Sequence, residues 1–182
     1  VLAVAGPNSP RLLRAVTDTD LSDDAFPPHH MRHTHIGHAP VFAQRLSFTG
    51  ETGWEIFVTP DFAEHVLEII LKAGQPLGLR LAGGEALNAL RIEKGFLHWG
   101  ADMAYTEAPY QLGLDFICKP GKTLPFIGQD ACLARKADPK GPCLRSVRLA
   151  DPDAILHNNE PVLRDGQIIG FVTSGAFCAM QK

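Results

Sequence analysis

Apolar residues recur along this chain at two spacings, and the changes of spacing mark its elements. Residues 1–5, VLAVA, are an unbroken apolar run and read as a short strand buried on both faces. Gly6-Pro7-Asn8-Ser9-Pro10 is a turn leading into a short helix. Ser9 suits the cap, Pro10 suits the first helical position, and Leu12, Leu13 and Val16 supply the apolar face. The acidic stretch 17–28 ends in Pro27-Pro28 and reads as a loop. Residues 31–36 and 40–48 predict a hairpin turning at Gly37-His38, and residues 54–58 predict a further strand after the glycine-flanked turn 49–53. Phe62, Val66, Ile69, Ile70 and Ala73 then form one helical stripe. Thr59-Pro60 starts that helix, Asp61 and Glu64 suit its positive end, and Gly74 ends it.

Residues 85–94 predict a second long helix, stopped by Gly95, with Ala86, Leu87, Ala89 and Leu90 inward and Arg91, Glu93 and Lys94 polar. Residues 109–115 read as one or two helical turns, 116–119 as a strand and 128–136 as a helix. The segment 137–142, with two prolines, a glycine and charge, is the best linker. Beyond it the texture is β: 144–149, 162–164 and 167–173, the last two joined by Asp165-Gly166, a strong hairpin signal. The expectation is an α+β fold, an antiparallel sheet with packed helices over residues 1–137, followed by the start of a β domain at 138–182.

Composition removes several classes of function. Apolar residues are 45% and charged residues 20% of the 182, which fits a globular protein and excludes disorder. Lys plus Arg is 17 against 20 Asp plus Glu, a net charge of −3, so no basic surplus exists to hold a nucleic-acid backbone. No apolar run is long enough to span a bilayer. Cys118, Cys132, Cys143 and Cys178 form no CxxC pair and read as reduced, mostly buried thiols of an intracellular protein, cytoplasmic or, in a eukaryote, in the mitochondrial matrix. The opening VLAVAGPNSP reads as a strand entered in mid-fold, and the chain as a piece of something longer.

Two clusters carry candidate chemistry. His29, His30, His33, His35 and His38 lie within ten residues, and His33 and His35 would share one face of a strand. No carboxylate or thiol stands beside them to complete a ligand set, so a solvated hairpin face is expected and no metal site is assigned. Gly83-Gly84 and Gly50-x-x-Gly53 lack the spacing of a nucleotide loop, and no GxSxG elbow occurs. The second cluster is L-S-F-T-G-E-T-G-W-E-I-F-V at 46–58. Glu55 stands inside an apolar strand between Trp54 and Ile56, sharing a face with Phe57. Buried there, its carboxylate would need donors, and a ring with two adjacent N–H groups would supply them. On a wet face it would need none, and the residues alone leave both readings open.

The stretch 46–58 resembles the S-Y-x-G-E-x-G-x-E signature of the aminomethyltransferase (glycine cleavage T-protein) folate-binding family. Further pieces follow in family order. Gly6-Pro7-Asn8-Ser9 resembles Q-G-P-x-S, Leu90-Arg91-Ile92-Glu93-Lys94-Gly95 resembles L-R-L-E-K-G, and His98-Trp99-Gly100-Ala101-Asp102 resembles x-W-G-x-D. Phe126-Ile127-Gly128 resembles F-I-G, and residues 170–175 resemble G-x-V-T-S-G. E-K-G-F-L-H-W-G is similar to the version fused to dimethylglycine and sarcosine dehydrogenases.

The resemblance implies a tetrahydrofolate-dependent part of a longer protein, the second half of a folate-binding domain followed by part of a β-barrel-like domain. Its partners would be a folate, an amine-derived one-carbon donor, and a flavin (FAD) dehydrogenase domain elsewhere in the parent chain. By the same resemblance Glu55 binds the pterin ring and Phe48 lines its pocket, where the family usually has tyrosine. Glu51 would serve the turn. The family's arginine for the folate tail is replaced by Leu87. The family's catalytic aspartate would precede Val1, so no catalytic residue is assigned here, and the chain alone is expected to be inactive. A free T-protein and a non-catalytic folate-binding module are the alternatives. The K-G-C-Y-x-G-Q-E run of the latter does not occur.

Overall fold

The computed structural model describes residues 1–119, 122–138 and 141–178. The chain divides into two compact units, Val1–Lys94 and Gly95–Lys182. The fold is α+β, as the spacing predicts. The predicted linker at 137–142 falls in the second unit, and its Pro139 and Lys140 lie outside the described residues.

The first unit is a four-stranded antiparallel sheet with helices on one face. Its strands are β1 (Leu2–Ala5), β2 (Met31–Ile36), β3 (Ala39–Gln44) and β4 (Gly53–Phe57), in the order β1-β4-β3-β2. Alternation sends Val4, Val41, Ala43, Trp54 and Ile56 to one face. There they meet Leu12 and Leu13 of helix α1 (Ser9–Arg14) and Val66 and Ile70 of helix α2 (Pro60–Gly74). Each such aliphatic side chain contributes about 1.5–3 kcal/mol on full burial. The acidic loop 17–28 does more than connect: Leu21 and Phe26 enter the same core, and the edge of Phe26 meets the Trp54 ring at 6.4 Å. Arg45 fastens it from outside, with its guanidinium over Trp54, an ion pair to Asp23 and a hydrogen bond to the Phe26 carbonyl.

Several local expectations are corrected. β1 is buried on one face only, with Ala3 and Ala5 exposed. Ser9 does not cap α1; its hydroxyl donates to the carbonyls of Gly6 (2.7 Å) and Thr52 (2.9 Å), tying the G-P-N-S turn to the turn before β4. The predicted strand 40–48 stops at Gln44, since Arg45 turns away to its three partners. Gly74 is the last residue of α2 for lack of space, not for its dihedral freedom: a Cβ there would lie 2.4 Å from Leu79 Cδ2 and 2.8 Å from Leu12 Cδ1. In helix α3 (Gly84–Glu93), Ala86 and Leu87 are exposed and Arg91 is buried. Arg91 is accommodated because its guanidinium donates from Nε and Nη2 to Asn88 Oδ1 at 2.9 and 2.7 Å.

The second unit holds two 3₁₀ turns, Pro109–Leu112 and Asp115–Ile117, helix α4 (Gln129–Ala137), and a hairpin of β5 (Pro161–Arg164) and β6 (Gln167–Phe171). Residues 116–119 are no strand, since the Asp115 carbonyl accepts from Cys118 in a closed turn. Residues 144–149 form no ladder either. Leu144 instead donates its N–H to the Gln111 carbonyl at 2.7 Å, and Gln111 Nε2 reaches the Pro142 carbonyl at 2.9 Å. Asp165-Gly166 turns the hairpin with φ of 51° and 78°, the two positive values that a tight two-residue turn needs. Cys143 is exposed and the other three cysteines half-buried, and none of these four described residues forms a disulfide, so the expectation of mostly buried thiols fails. No described helix is long and apolar enough to cross a membrane.

Candidate functional site

β4 lies inside the sheet, and Glu55 at its middle is paired by register with Ala3 of β1 and with Gln44 of β3. Trp54 and Ile56 take the core face, so Glu55 projects from the opposite one, half-buried. On the β1 side its neighbours on that face are small: Ala3 and Ala5 leave room where larger side chains would cover the carboxylate.

That room is a cavity of about 230 Å³. Glu55 and Phe48 both line it, with Ala3, Leu46, Trp54 and Leu87 among the other walls. The two residues singled out in the sequence therefore face one space. Phe48 comes from the loop before β4, which is braced by Ser47 Oγ and Thr49 Oγ1 at 2.7 Å, with Thr49 buried. Among the described residues, no hydrogen bond or ion pair engages the Glu55 carboxylate, and the buried Trp54 Nε1 has no acceptor. The cavity thus presents an apolar lining around an acid whose acceptor positions are open.

Glu51 sits elsewhere. It is exposed, and its Oε2 hangs over the Gly6 turn, where a Cβ on Gly6 would come within 3.6 Å. Leu87 reaches the cavity wall from α3, and Ser47, Thr49, Ala3 and Ala5 belong to it without having been singled out. The signal for the two alanines was present: in VLAVA the small residues alternate with large ones.

The five histidines are exposed. His33 and His35 do share a face, and His33 packs its ring on Phe42 at 3.7 Å, while His38 stacks on His65 at 3.8 Å. No group of three metal-ligating side chains occurs among the described residues. A larger hollow of about 410 Å³ beside Leu71, Lys72 and Arg80 contains none of the residues singled out in the sequence.

Residues 1–122 match the family described as the GCVT N-terminal domain. The chain is 40% identical to 4-methylaminobutanoate oxidase (formaldehyde-forming) of Paenarthrobacter nicotinovorans over 178 residues, 97% of this chain and 21% of that protein. It is 40% identical to mitochondrial dimethylglycine dehydrogenase of Rattus norvegicus, again over 97% of this chain and 21% of the relative. It is 32% identical to an aminomethyltransferase of Streptomyces avermitilis, over 97% of this chain and 47% of that protein. The chain thus spans about a fifth of the first two relatives and about half of the third. The motif order, the α+β architecture and these matches agree: the chain belongs to the GCVT N-terminal domain family, the aminomethyltransferase-type folate-binding group.

Proposed function

We propose that this chain is the tetrahydrofolate-binding part of a longer protein that captures a one-carbon unit from an N-methyl glycine as 5,10-methylene-tetrahydrofolate. The observation that carries the reading is the convergence of Glu55 and Phe48 on one cavity. Its chemistry fits a pterin head. Glu55 offers two acceptor oxygens to a pair of adjacent N–H groups, and Phe48 offers a ring for the bicycle to pack on. At about 230 Å³ the cavity is smaller than the roughly 300–1,000 Å³ typical of drug-sized ligands, so it would take the head of the folate and leave the tail outside.

In this reading another domain of the parent chain would hold FAD, which would supply the oxidising chemistry for the N-methyl amine. What the present chain contributes is binding, orientation and exclusion of water from the folate nitrogen, effects worth several kcal/mol when geometry is held. No residue of this chain is given a catalytic role, and by itself it does not transfer the one-carbon unit. The relatives named as dehydrogenase and oxidase, about five times the length of this chain, support a fused parent. The compartment follows the parent: the cytoplasm, or the mitochondrial matrix in a eukaryote. Residues 138–182 remain our proposed start of a separate β domain.

Titration calorimetry of the full-length gene product with a stable reduced folate tests this. A carboxamide at position 55 keeps the shape but loses one acceptor and the charge. Hydrogen bonds to charged groups are worth about 1.5–3 kcal/mol, so Glu55→Gln should weaken binding roughly ten- to a hundredfold. Binding as tight as wild type would make Glu55 a wet-face acid and remove the assignment.

A further inference from the structure

Helix α3 meets the loop before β4 at two places. Leu87, near the start of the helix, lines the cavity beside Phe48. Lys94, just past its end, lies across Gly50. A Cβ on Gly50 would fall 2.5 Å from Lys94 Cγ, 2.9 Å from its Cβ and 3.1 Å from its Cδ. Three consecutive carbons of the lysine stem therefore lie against the bare backbone of that glycine. Leu87, Arg91 and Lys94 stand at i, i+4 and i+7, one stripe of the helix, and Arg91 between them is buried. Gly50, with φ of 71°, follows Thr49, which is buried, borders the cavity and bonds Ser47. The turn thus places Phe48 in the cavity wall and its glycine under the lysine stem.

Charge does not hold Lys94 in this place. Among the described residues its ammonium forms no ion pair and no hydrogen bond. Glu51, the acid next to Gly50, turns its carboxylate over Gly6 instead. The backbone fixes the lysine: its N–H donates to the Leu90 carbonyl at 3.3 Å, and Gly95, with φ of 72°, ends the helix behind it. A lysine whose methylenes cover the chain while its head stays in water acts through its stem.

We propose that Lys94 is a positioning residue, whose stem presses on Gly50 and so holds Phe48 in the cavity wall; this rests on the reading of the cavity as a folate site. The ligand need not touch the lysine. Its contribution is to remove freedom from the loop before the ring is bound, so less ordering is left to the binding step.

The test is titration calorimetry of the full-length gene product with the same stable reduced folate. Lys94→Ala keeps a good helix former but removes the stem. It should weaken binding roughly three- to tenfold, about 0.7–1.4 kcal/mol. Lys94→Met keeps an unbranched stem without the charge and should bind within about twofold of wild type. In a Phe48→Leu background, where the ring is already gone, Lys94→Ala should cost little more. A lysine that only supports the fold would lower the melting temperature of Lys94→Ala and leave affinity alone, which overturns the proposal. A loss in Lys94→Met equal to that in Lys94→Ala also overturns it, since the ammonium would then be the contact. So does an undiminished loss in the Phe48→Leu background. If Glu55→Gln weakens binding and Lys94→Ala does not, the folate reading stands and this one falls. If Glu55→Gln binds as tightly as wild type, both fall.

Discussion

Thr173 Oγ1 donates a hydrogen bond to Asp102 Oδ1 at 2.6 Å, across 71 positions of sequence. The other oxygen, Oδ2, accepts the backbone N–H of His98 at 2.9 Å. Two of the recognised motifs, H-W-G-A-D and G-F-V-T-S-G, are therefore joined through one buried carboxylate. Removing the donor leaves a buried charge under-satisfied, which costs about 1–3 kcal/mol. Thr173→Val and Asp102→Asn should each lower stability by an amount in that range. The double variant should cost clearly less than the sum, by about 1 kcal/mol or more. Urea unfolding of the four proteins measures this, and full additivity would mean that the pair is not coupled.

The cavity beside Glu55 depends on what is missing from β1. Ala3→Leu would place a branched side chain next to Glu55 on the exposed face, where it displaces no core residue. Folate affinity of the full-length protein should fall at least tenfold, with the melting temperature nearly unchanged. Glu51→Gln, at the Gly6 turn, should leave affinity within about threefold of wild type, a change under about 1 kcal/mol. Loss of affinity in Glu51→Gln equal to that in Glu55→Gln would move the site to the turn.

Gly37 and Gly166 separate two ways in which a glycine is required. Both have positive φ, 58° and 78°. A Cβ at Gly37 would lie 2.5 Å from Ile69 Cδ1 and 2.9 Å from His65 Nε2, whereas nothing lies within 4 Å of one at Gly166. Gly166→Ala should therefore cost only the left-handed backbone penalty, about 1–2 kcal/mol. Gly37→Ala should cost about 0.5–1.5 kcal/mol more, for turning the ends of the Ile69 and His65 side chains aside. Equal losses in chemical denaturation would show that α2 yields freely to the hairpin turn.

Glu107 is held below the ordinary glutamate range by the Thr106 hydroxyl first and the Ala104 N–H second, at 2.6 and 2.7 Å. A depressed folded value gives stability that is present above the unfolded glutamate value and is lost as pH falls through the folded one. The difference in urea midpoint between wild type and Glu107→Gln should thus be complete at neutral pH and shrink in acid. A difference that does not change with pH would mean the variant acts through something other than this ionisation.

The local devices of this chain were open to sequence reading where one periodicity had no rival. The stripe from Phe62 to Ala73 permits only one helical face, and Asp165-Gly166 permits only one kind of turn. Glu55 was different. Trp54, Ile56, Phe57 and Val58 make both faces of β4 apolar, so alternation alone does not say which one is covered. That is decided by the pairing with Ala3 and Gln44, which come from distant parts of the chain. Arg91 was misplaced for a related reason: its charge suggests solvent, but Asn88 one turn earlier supplies the acceptor that lets it be buried. The run F-I-C-K at 116–119 has strand composition, yet the turn closing from Cys118 to Asp115 takes up its hydrogen-bonding groups.

The interior position of β4 makes the two walls of the cavity mechanically unequal. Glu55 rides on a strand laced to neighbours on both edges, so its direction is set before any ligand arrives. Phe48 rides on a loop braced by two hydroxyl groups, and its ring can adjust within that hold. Whatever ordering entropy a bound ring demands falls on the aromatic side, while the acid enters pre-organised. In the proposed reading a substitution is then cheapest at the aromatic wall, at Phe48. A change in the acid would alter the one part of the site that the rest of the sheet holds rigid.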